Sequence, residues 1–338
     1  MSDLPLALLL TSAAAAVLAC AGIAGVIGWL NARALAKPNQ RSSHAVPTPQ
    51  GGGIVIVPAA LLTAGIALAI SGAELPGGTV YLGLVGAAAL VLTVIGFIDD
   101  MRGLSVSSRL VSQILAVALA VALMPADLRI VPPVPLPIER ALLICGALWF
   151  VNLFNFMDGI DLISVVETVA VTLGIVLLAA LGAIPAGYGI IAVALLGAMI
   201  GFAPWNAPPA RLFLGDAGSV PVGFLLAVLL IHIAAAHALA AAIILPLYYL
   251  ADATITLIRR FLRGERVWEA HRQHFYQQAT RNGFTVIATV GRIAALDAAL
   301  IALAIGASQH GYWWAAVAGL VAAAGVGWML RTFARGRR

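Results

Sequence analysis

From residue 5 to residue 330 the chain returns again and again to uninterrupted apolar runs. Each is about 17–25 residues long, enough to cross about 30 Å of hydrocarbon as a helix. Lipid offers the backbone no hydrogen-bond partner, so such runs must be helices or strands of a closed barrel. They do not alternate apolar with polar, so they are helices. Composition points the same way: 62% of the 338 residues are hydrophobic and 10% are charged, and mean hydropathy is +1.04. The expectation is an all-α polytopic integral membrane protein, one domain over residues 1–338. About eleven spans are expected, near 5–30, 53–71, 79–98, 110–124, 141–157, 164–182, 187–203, 218–236, 238–258, 286–307 and 313–330. The fourth is short and the eighth and ninth nearly abut, so ten is the neighbouring count.

The first run lacks the basic n-region of a signal peptide: only Asp3 precedes it, and the first basic residue, Arg33, follows it. It is read as a retained span with its N-terminus outside. The loops then divide by charge. One side takes Arg33, Lys37, Arg41, Arg102, Arg109, Arg211, the arginines of 259–281 and those of the tail; the other takes Arg129 and Arg140. That asymmetry marks the basic side as cytoplasmic. It also makes the pI of about 9.7 a topology signal rather than a nucleic-acid footprint. Cys20 and Cys145 sit in apolar runs, where a small packing residue is the ordinary use of cysteine.

Nearly everything polar and specific falls in the inside loops. The first, KPNQRSSHAVPTPQGGG (37–53), is stiffened by proline and then freed by three glycines. The second, GFIDDMRGL (96–104), sets Asp99 and Asp100 side by side at the foot of an apolar run. Adjacent helical residues point about 100° apart, so the pair is expected to face two different partners. The third, NLFNFMDGIDLI (152–163), repeats Asn152, Asn155, Asp158 and Asp161 at three-residue spacing. A ridge of oxygen-bearing side chains suits a hard cation or a hydrogen-bonded ligand. The fourth, RLFLGDAGS (211–219), carries Asp216 at a loop-to-helix junction and Phe213 as an aromatic to lay on a planar ring. The fifth, residues 259–284, holds six arginines with His271 and His274 around Arg272. Positive-inside charge accounts for much of it, and an anion site fits better than a transition-metal site. Carboxylates and amides for a hard cation, cations for phosphates and an aromatic for a base describe an enzyme handling a soluble phosphoanhydride at a membrane surface.

Taken in order, PNQRSSHAVPTPQGGG, GFIDDMRGLSVSSRL, NLFNFMDGIDLIS, RLFLGDAGS and AHRQHFYQQ resemble the motifs of the polyprenyl-phosphate N-acetylhexosamine-1-phosphate transferases over residues 37–280. The resemblance implies transfer of a sugar-1-phosphate from a UDP-N-acetylhexosamine to undecaprenyl phosphate in the bacterial inner membrane, with release of UMP and a need for Mg²⁺ or Mn²⁺. It places Asp216 on the metal with Asn155 as second ligand. Phe213 would stack on uracil, with Asp158 and Asp161 near the nucleoside and Asn152 and Thr48 in the same substrate-facing set. His271, Arg272 and His274 would hold the diphosphate, while Asp99 and Asp100 would lie near the lipid phosphate, whose charge Arg102 and Arg109 would neutralise. Relatives are commonly dimers, so a homodimer is carried as an expectation, with the lipid bilayer as a partner and nucleic acid as none.

Direct attack of the lipid phosphate on the β-phosphorus is the expected chemistry. A phosphate monoester with a second pKa of about 6 is already largely ionised near neutral pH. An aspartyl-phosphate route is the alternative. HRQH lacks the run of consecutive histidines of the muramyl-pentapeptide branch, and HRQHFYQQ looks more like enzymes that start O-antigen or other surface polysaccharides. The rival class is a transporter, marked by intramembrane Asp252, Asp297 and Arg292. A transporter should gather its polar groups at mid-membrane, whereas here they crowd one face.

Overall fold

In the computed structural model, which describes residues 4–36, 47–73, 75, 77–266 and 271–336, the chain is a bundle of long helices. The stretch 37–46 of the first inside loop, residues 267–270 of the fifth and Arg337 and Arg338 lie outside the described residues. The helices are α1 (Leu4–Arg33), α2 (Gly53–Ser71), α3 (Gly78–Arg102), α4 (Val106–Ala122), α5 (Leu136–Met157), α6 (Ile163–Ala180), α7 (Ala186–Asn206) and α8 (Asp216–Ile233). A π-helical turn, Ala234–Ala238, leads to α9 (Leu239–Ile244), α10 (Leu247–Leu262), α11 (Phe275–Arg281), α12 (Val286–Gln309) and α13 (Gly311–Arg335). Two short strands, β1 (Leu35–Ala36) and β2 (Thr48–Pro49), pair antiparallel at the end of α1.

Among the described residues nine helical segments are long and apolar enough to cross a membrane, and the apolar α4 is shorter. The segment expected as a single span over 238–258 is divided. His237 takes a left-handed backbone (φ 67°), and Pro246, which has no N–H to give, stands between α9 and α10. The apolar segment of span eight nevertheless extends, across a kink at Ala236 and His237, to Ile244, 29 residues in all.

Apolar side chains lie on the outside of the bundle as well as inside it. α7 and α8 form the centre, with Phe202, Phe224 and Leu226 fully enclosed. Peripheral helices turn Leu9, Leu115, Leu320 and Trp328 outward. Outward leucines are at home against acyl chains, and Tyr312, Trp313 and Trp314 at the start of α13 suit a membrane–water boundary. With lipid outside, helices are held by close packing of small residues rather than by expulsion of water. Gly197 and Gly201 supply that on α7: a Cβ at either would come within 2.2 Å of a backbone oxygen of α1, Ser12 or Ala16.

Candidate active site

Segments far apart in sequence meet at one end of the bundle. α3 ends there with Asp99 and Asp100, α5 with Asn155, and α8 begins there with Asp216. The approach is close because small residues line it. A Cβ on Gly96 would lie 2.3 Å from the Asp216 carbonyl, and one on Gly53 would lie 2.1 Å from that of Ala217. The glycine loop is stitched to the loop before α8: Phe213 N donates to Pro49 O at 2.9 Å, Gly52 N to Phe213 O at 3.0 Å and Gly53 N to Leu214 O at 3.2 Å. Thr48 is buried next to Pro49, and Phe213 is half-buried on the loop so held.

The adjacent aspartates face different partners. Asp100 accepts from the first amides of α8, Oδ1 from Asp216 N at 2.9 Å and Oδ2 from Ala217 N at 3.1 Å. A carboxylate at a helix N-terminus meets free N–H groups and the positive end of the dipole. Gln50 Nε2 binds the Asp100 carbonyl at 2.6 Å, tying the first loop to the same point. Asp99 turns the other way, accepting Leu104 N at 2.5 Å through Oδ1 and meeting Arg109 Nη1 at 3.2 Å through Oδ2. The same Arg109 nitrogen lies 3.4 Å from Asp216 Oδ2. Asn155 Nδ2 donates to Asp216 Oδ1 and to Ser219 Oγ, both at 2.8 Å. Asp99, Asp100, Arg109, Asn155 and Asp216 thus form one bonded group.

The three-residue series in NLFNFMDGIDLI does not make a single ridge. α5 ends at Met157, so the helical spacing fails after Asn155, and each member finds its own partner. Asn152 Nδ2 turns back to Leu148 O at 2.8 Å. Asp158 Oδ1 accepts Ser164 Oγ at 2.6 Å, and Asp161 Oδ2 accepts Ala210 N at 3.1 Å, fastening the turn to the loop after α7. Burial pushes the Asp158 carboxyl up to about 7, with the Ser164 hydrogen bond opposing and the charges of Asp216 and Asp161 adding to the rise. Arg102 is exposed at the end of α3.

The HRQH loop is organised by a residue that spacing did not single out for this end. Asp252 of α10 accepts Phe275 N at 2.9 Å, Tyr276 N at 3.0 Å and Tyr248 Oη at 3.1 Å, and its Oδ1 lies 3.2 Å from His274 Nδ1. His274 is therefore buried, its ring 4.7 Å from that of His271 and 5.7 Å from that of Tyr276. His271 is half-buried and Arg272 exposed. Tyr276 Oη donates to Phe156 O at 3.2 Å, which docks α11 on the end of α5. Gln50, Ser164 and Ser219 are supporting residues that the sequence did not single out, and Asp252, expected as a mark of a transporter, instead holds the HRQH loop. A carboxylate in a short amphipathic segment directly before a basic loop was the available signal for Asp252.

The donor set suits a hard cation. Asp99 and Asp216 converge on one positive charge, that of Arg109, and Asn155 stands against Asp216. Among the described residues no three His, Cys, Asp or Glu side chains form a ready-made cage. An ion here would take few protein oxygens and complete its shell from phosphate and water, which is how Mg²⁺ is commonly held.

Residues 81–234 match the model of glycosyl transferase family 4. A decaprenyl-phosphate N-acetylglucosaminephosphotransferase of Mycobacterium leprae is 31% identical over 229 residues, covering 60% of this chain and 56% of its own. A probable undecaprenyl-phosphate N-acetylglucosaminyl 1-phosphate transferase of Bacillus subtilis is 24% identical over 79% of this chain and 77% of its own. A phospho-N-acetylmuramoyl-pentapeptide-transferase of Mycolicibacterium paratuberculosis is 28% identical over 53% and 62%. The match to the mycobacterial N-acetylglucosaminephosphotransferases spans little more than half of their length. The matched segment contains Asp99, Asp100, Arg109, Asn155 and Asp216 together, and over it the chain is similar to glycosyl transferase family 4.

Proposed function

We propose that the protein transfers an N-acetylhexosamine-1-phosphate from a UDP-sugar to undecaprenyl phosphate, releasing UMP and starting a cell-surface polysaccharide such as O-antigen. The observation that carries this reading is the group of Asp99, Arg109, Asn155 and Asp216 at the polar end of an apolar bundle. There a lipid phosphate in the membrane and a soluble diphosphate can both reach it. That end faces the cytoplasm of a bacterial inner membrane in this reading, on the strength of the loop arginines.

A phosphate oxygen of the lipid attacks the β-phosphorus of the donor. A new P–O bond forms, the anhydride bond breaks, and UMP leaves with the electron pair. Phosphoryl transfer needs mostly positioning and charge neutralisation. Arg109 neutralises the lipid phosphate, and Asp99 aims that guanidinium. Phe213 offers its face to uracil. Asp216 with Asn155 would hold Mg²⁺ or Mn²⁺, which supplies charge neutralisation on the diphosphate. Asp100 keeps Asp216 in place through the α8 amides, and His271 and Arg272 offer charge to the diphosphate. The test is purified protein with undecaprenyl phosphate, Mg²⁺ and a panel of UDP-N-acetylhexosamines. UMP release with at least one donor is the expected result. Turnover only of the muramyl-pentapeptide donor would move the protein to the peptidoglycan branch. No UMP from any donor, in folded protein, would remove the enzyme reading.

A further inference from the structure

A polar cavity of about 320 Å³ opens between the end of α10, the turn into α11 and the end of α13. It shares no residue with the acidic group. Its wall carries Arg259, Arg263 and Arg281 with the amides of Gln273, Gln278 and Asn282, and no carboxylate. Arg259 and Arg281 are each held by a neighbour. The Arg259 guanidinium lies 5.0 Å from the centre of the Phe275 ring, and Arg281 Nη1 is 3.4 Å from the Arg272 carbonyl. The amides are anchored too: Gln278 Nε2 binds Gln273 O at 2.7 Å, and Asn282 Nδ2 binds Phe333 O at 2.9 Å. Of the two acids in this loop, Glu269 lies outside the described residues, and Glu265 is taken by Arg260 Nε at 2.9 Å and by Gln273 Nε2 at 2.8 Å, with the charge of Arg263 also acting on it. Among the described residues none of the three cavity arginines has a carboxylate within ion-pair distance.

The surroundings say where a counter-ion would come from. Ile258, Phe261 and Leu262, interleaved with Arg259 and Arg263 on the last turns of α10, are 53%, 70% and 78% exposed. Large apolar side chains beside guanidinium groups at a helix end fit the boundary between acyl chains and headgroups. Charge serving orientation alone needs only a basic loop, not three arginines gathered on one amide-lined cavity. Guanidinium groups match phosphate oxygens in a two-pronged way.

We propose that this cavity binds the phosphate of an anionic phospholipid headgroup, held by Arg259, Arg263 and Arg281 while Ile258, Phe261 and Leu262 sit among its acyl chains. The site lies on α10 and α11, so the lipid also braces the helix from which Asp252 holds the HRQH loop. The proposal rests on the membrane fold and not on the transfer reaction.

The test is native mass spectrometry of the full-length protein in neutral detergent, titrated with short-chain phosphatidylglycerol or phosphatidylcholine. Phosphatidylglycerol should bind at least about tenfold more tightly, each basic side chain near an anionic headgroup contributing to the preference. The combined variant R259Q/R263Q/R281Q should lose that preference, and R259K/R263K/R281K should keep most of it, which separates lost charge from lost folding. Equal binding of the two lipids by wild-type protein would overturn the proposal. So would an unchanged preference in the glutamine variant. Displacement of phosphatidylglycerol by inorganic phosphate or UMP at matched concentration would overturn the lipid assignment in favour of a soluble phosphate site.

Discussion

Asp100 accepts two amides of α8 at once, and its neighbour Asp99 accepts none of them. Its work is to fix where α8 begins, and Asp216 is the first residue of that helix. Loss of an N-terminal cap costs about 0.5–2 kcal/mol, and leaving a buried amide unpaired costs about 1–3 kcal/mol. Asp100→Ala should therefore lower the unfolding temperature in detergent as well as turnover, with Asp100→Asn recovering part of both. Lost turnover with unchanged unfolding would instead put Asp100 in contact with the reacting groups. Asp158 gives a different signature, because burial raises its carboxyl from 3.8 to about 7. Between those values the folded state keeps a proton that the unfolded chain releases. The stability contributed by that proton is full below pH of about 4 and is lost as pH rises to about 7. Asp158→Asn, neutral throughout, should flatten this part of the profile of unfolding temperature against pH. A profile as steep as that of the wild type would show that another group carries the dependence.

Helices whose apolar runs stand alone were readable from sequence, because length against bilayer thickness decides them with no knowledge of neighbours. The division between α9 and α10 was not. An apolar run through Pro246 keeps its hydropathy while losing a backbone donor, so composition looks continuous where the helix is broken. The end of α5 was hidden for a similar reason: Asn152, Asn155, Asp158 and Asp161 keep helical spacing in the sequence after the helix has stopped at Met157. Contacts between helices were hidden altogether, although their small residues were in plain sight. Gly197 of α7 lies so near α1 that a Cβ would approach Ser12 O to 2.2 Å, whereas the space around a Cβ on Gly65 of α2 is open. Gly197→Val should destabilise the protein by about 1–3 kcal/mol, the usual range for forced overpacking, and Gly65→Val should change little. Equal unfolding temperatures for the two variants would argue that α1 is free to move away from α7.

The candidate site is a property of the assembled bundle. Its chemistry-bearing residues were visible as types, because carboxylates and amides stand out in a chain that is 10% charged. Their division of labour was not, since the partner of Asp100 is 116 residues away and that of Asn155 is 61 away. The same holds for Glu167 and Asp297, buried in facing helices α6 and α12, whose four oxygens find no hydrogen-bond partner among the described residues. Arg292, five residues before Asp297 in the sequence, lies over the Phe284 ring at 4.8 Å. A site built from α3, α5 and α8 joins parts that must separate when the protein unfolds, so a ligand bound there is linked to the stability of the whole. A ligand at a hundred times its dissociation constant adds about 2.7 kcal/mol. UMP with Mg²⁺ should accordingly raise the unfolding temperature of the wild-type protein in a concentration-dependent way. Asp216→Asn should abolish the increase that depends on Mg²⁺, because an amide replaces the carboxylate that faces Arg109 and Asn155. Asn152→Ala, whose amide is turned back on its own helix, should keep that increase. An equal rise in wild-type protein and Asp216→Asn would place the metal-dependent nucleotide site away from the start of α8.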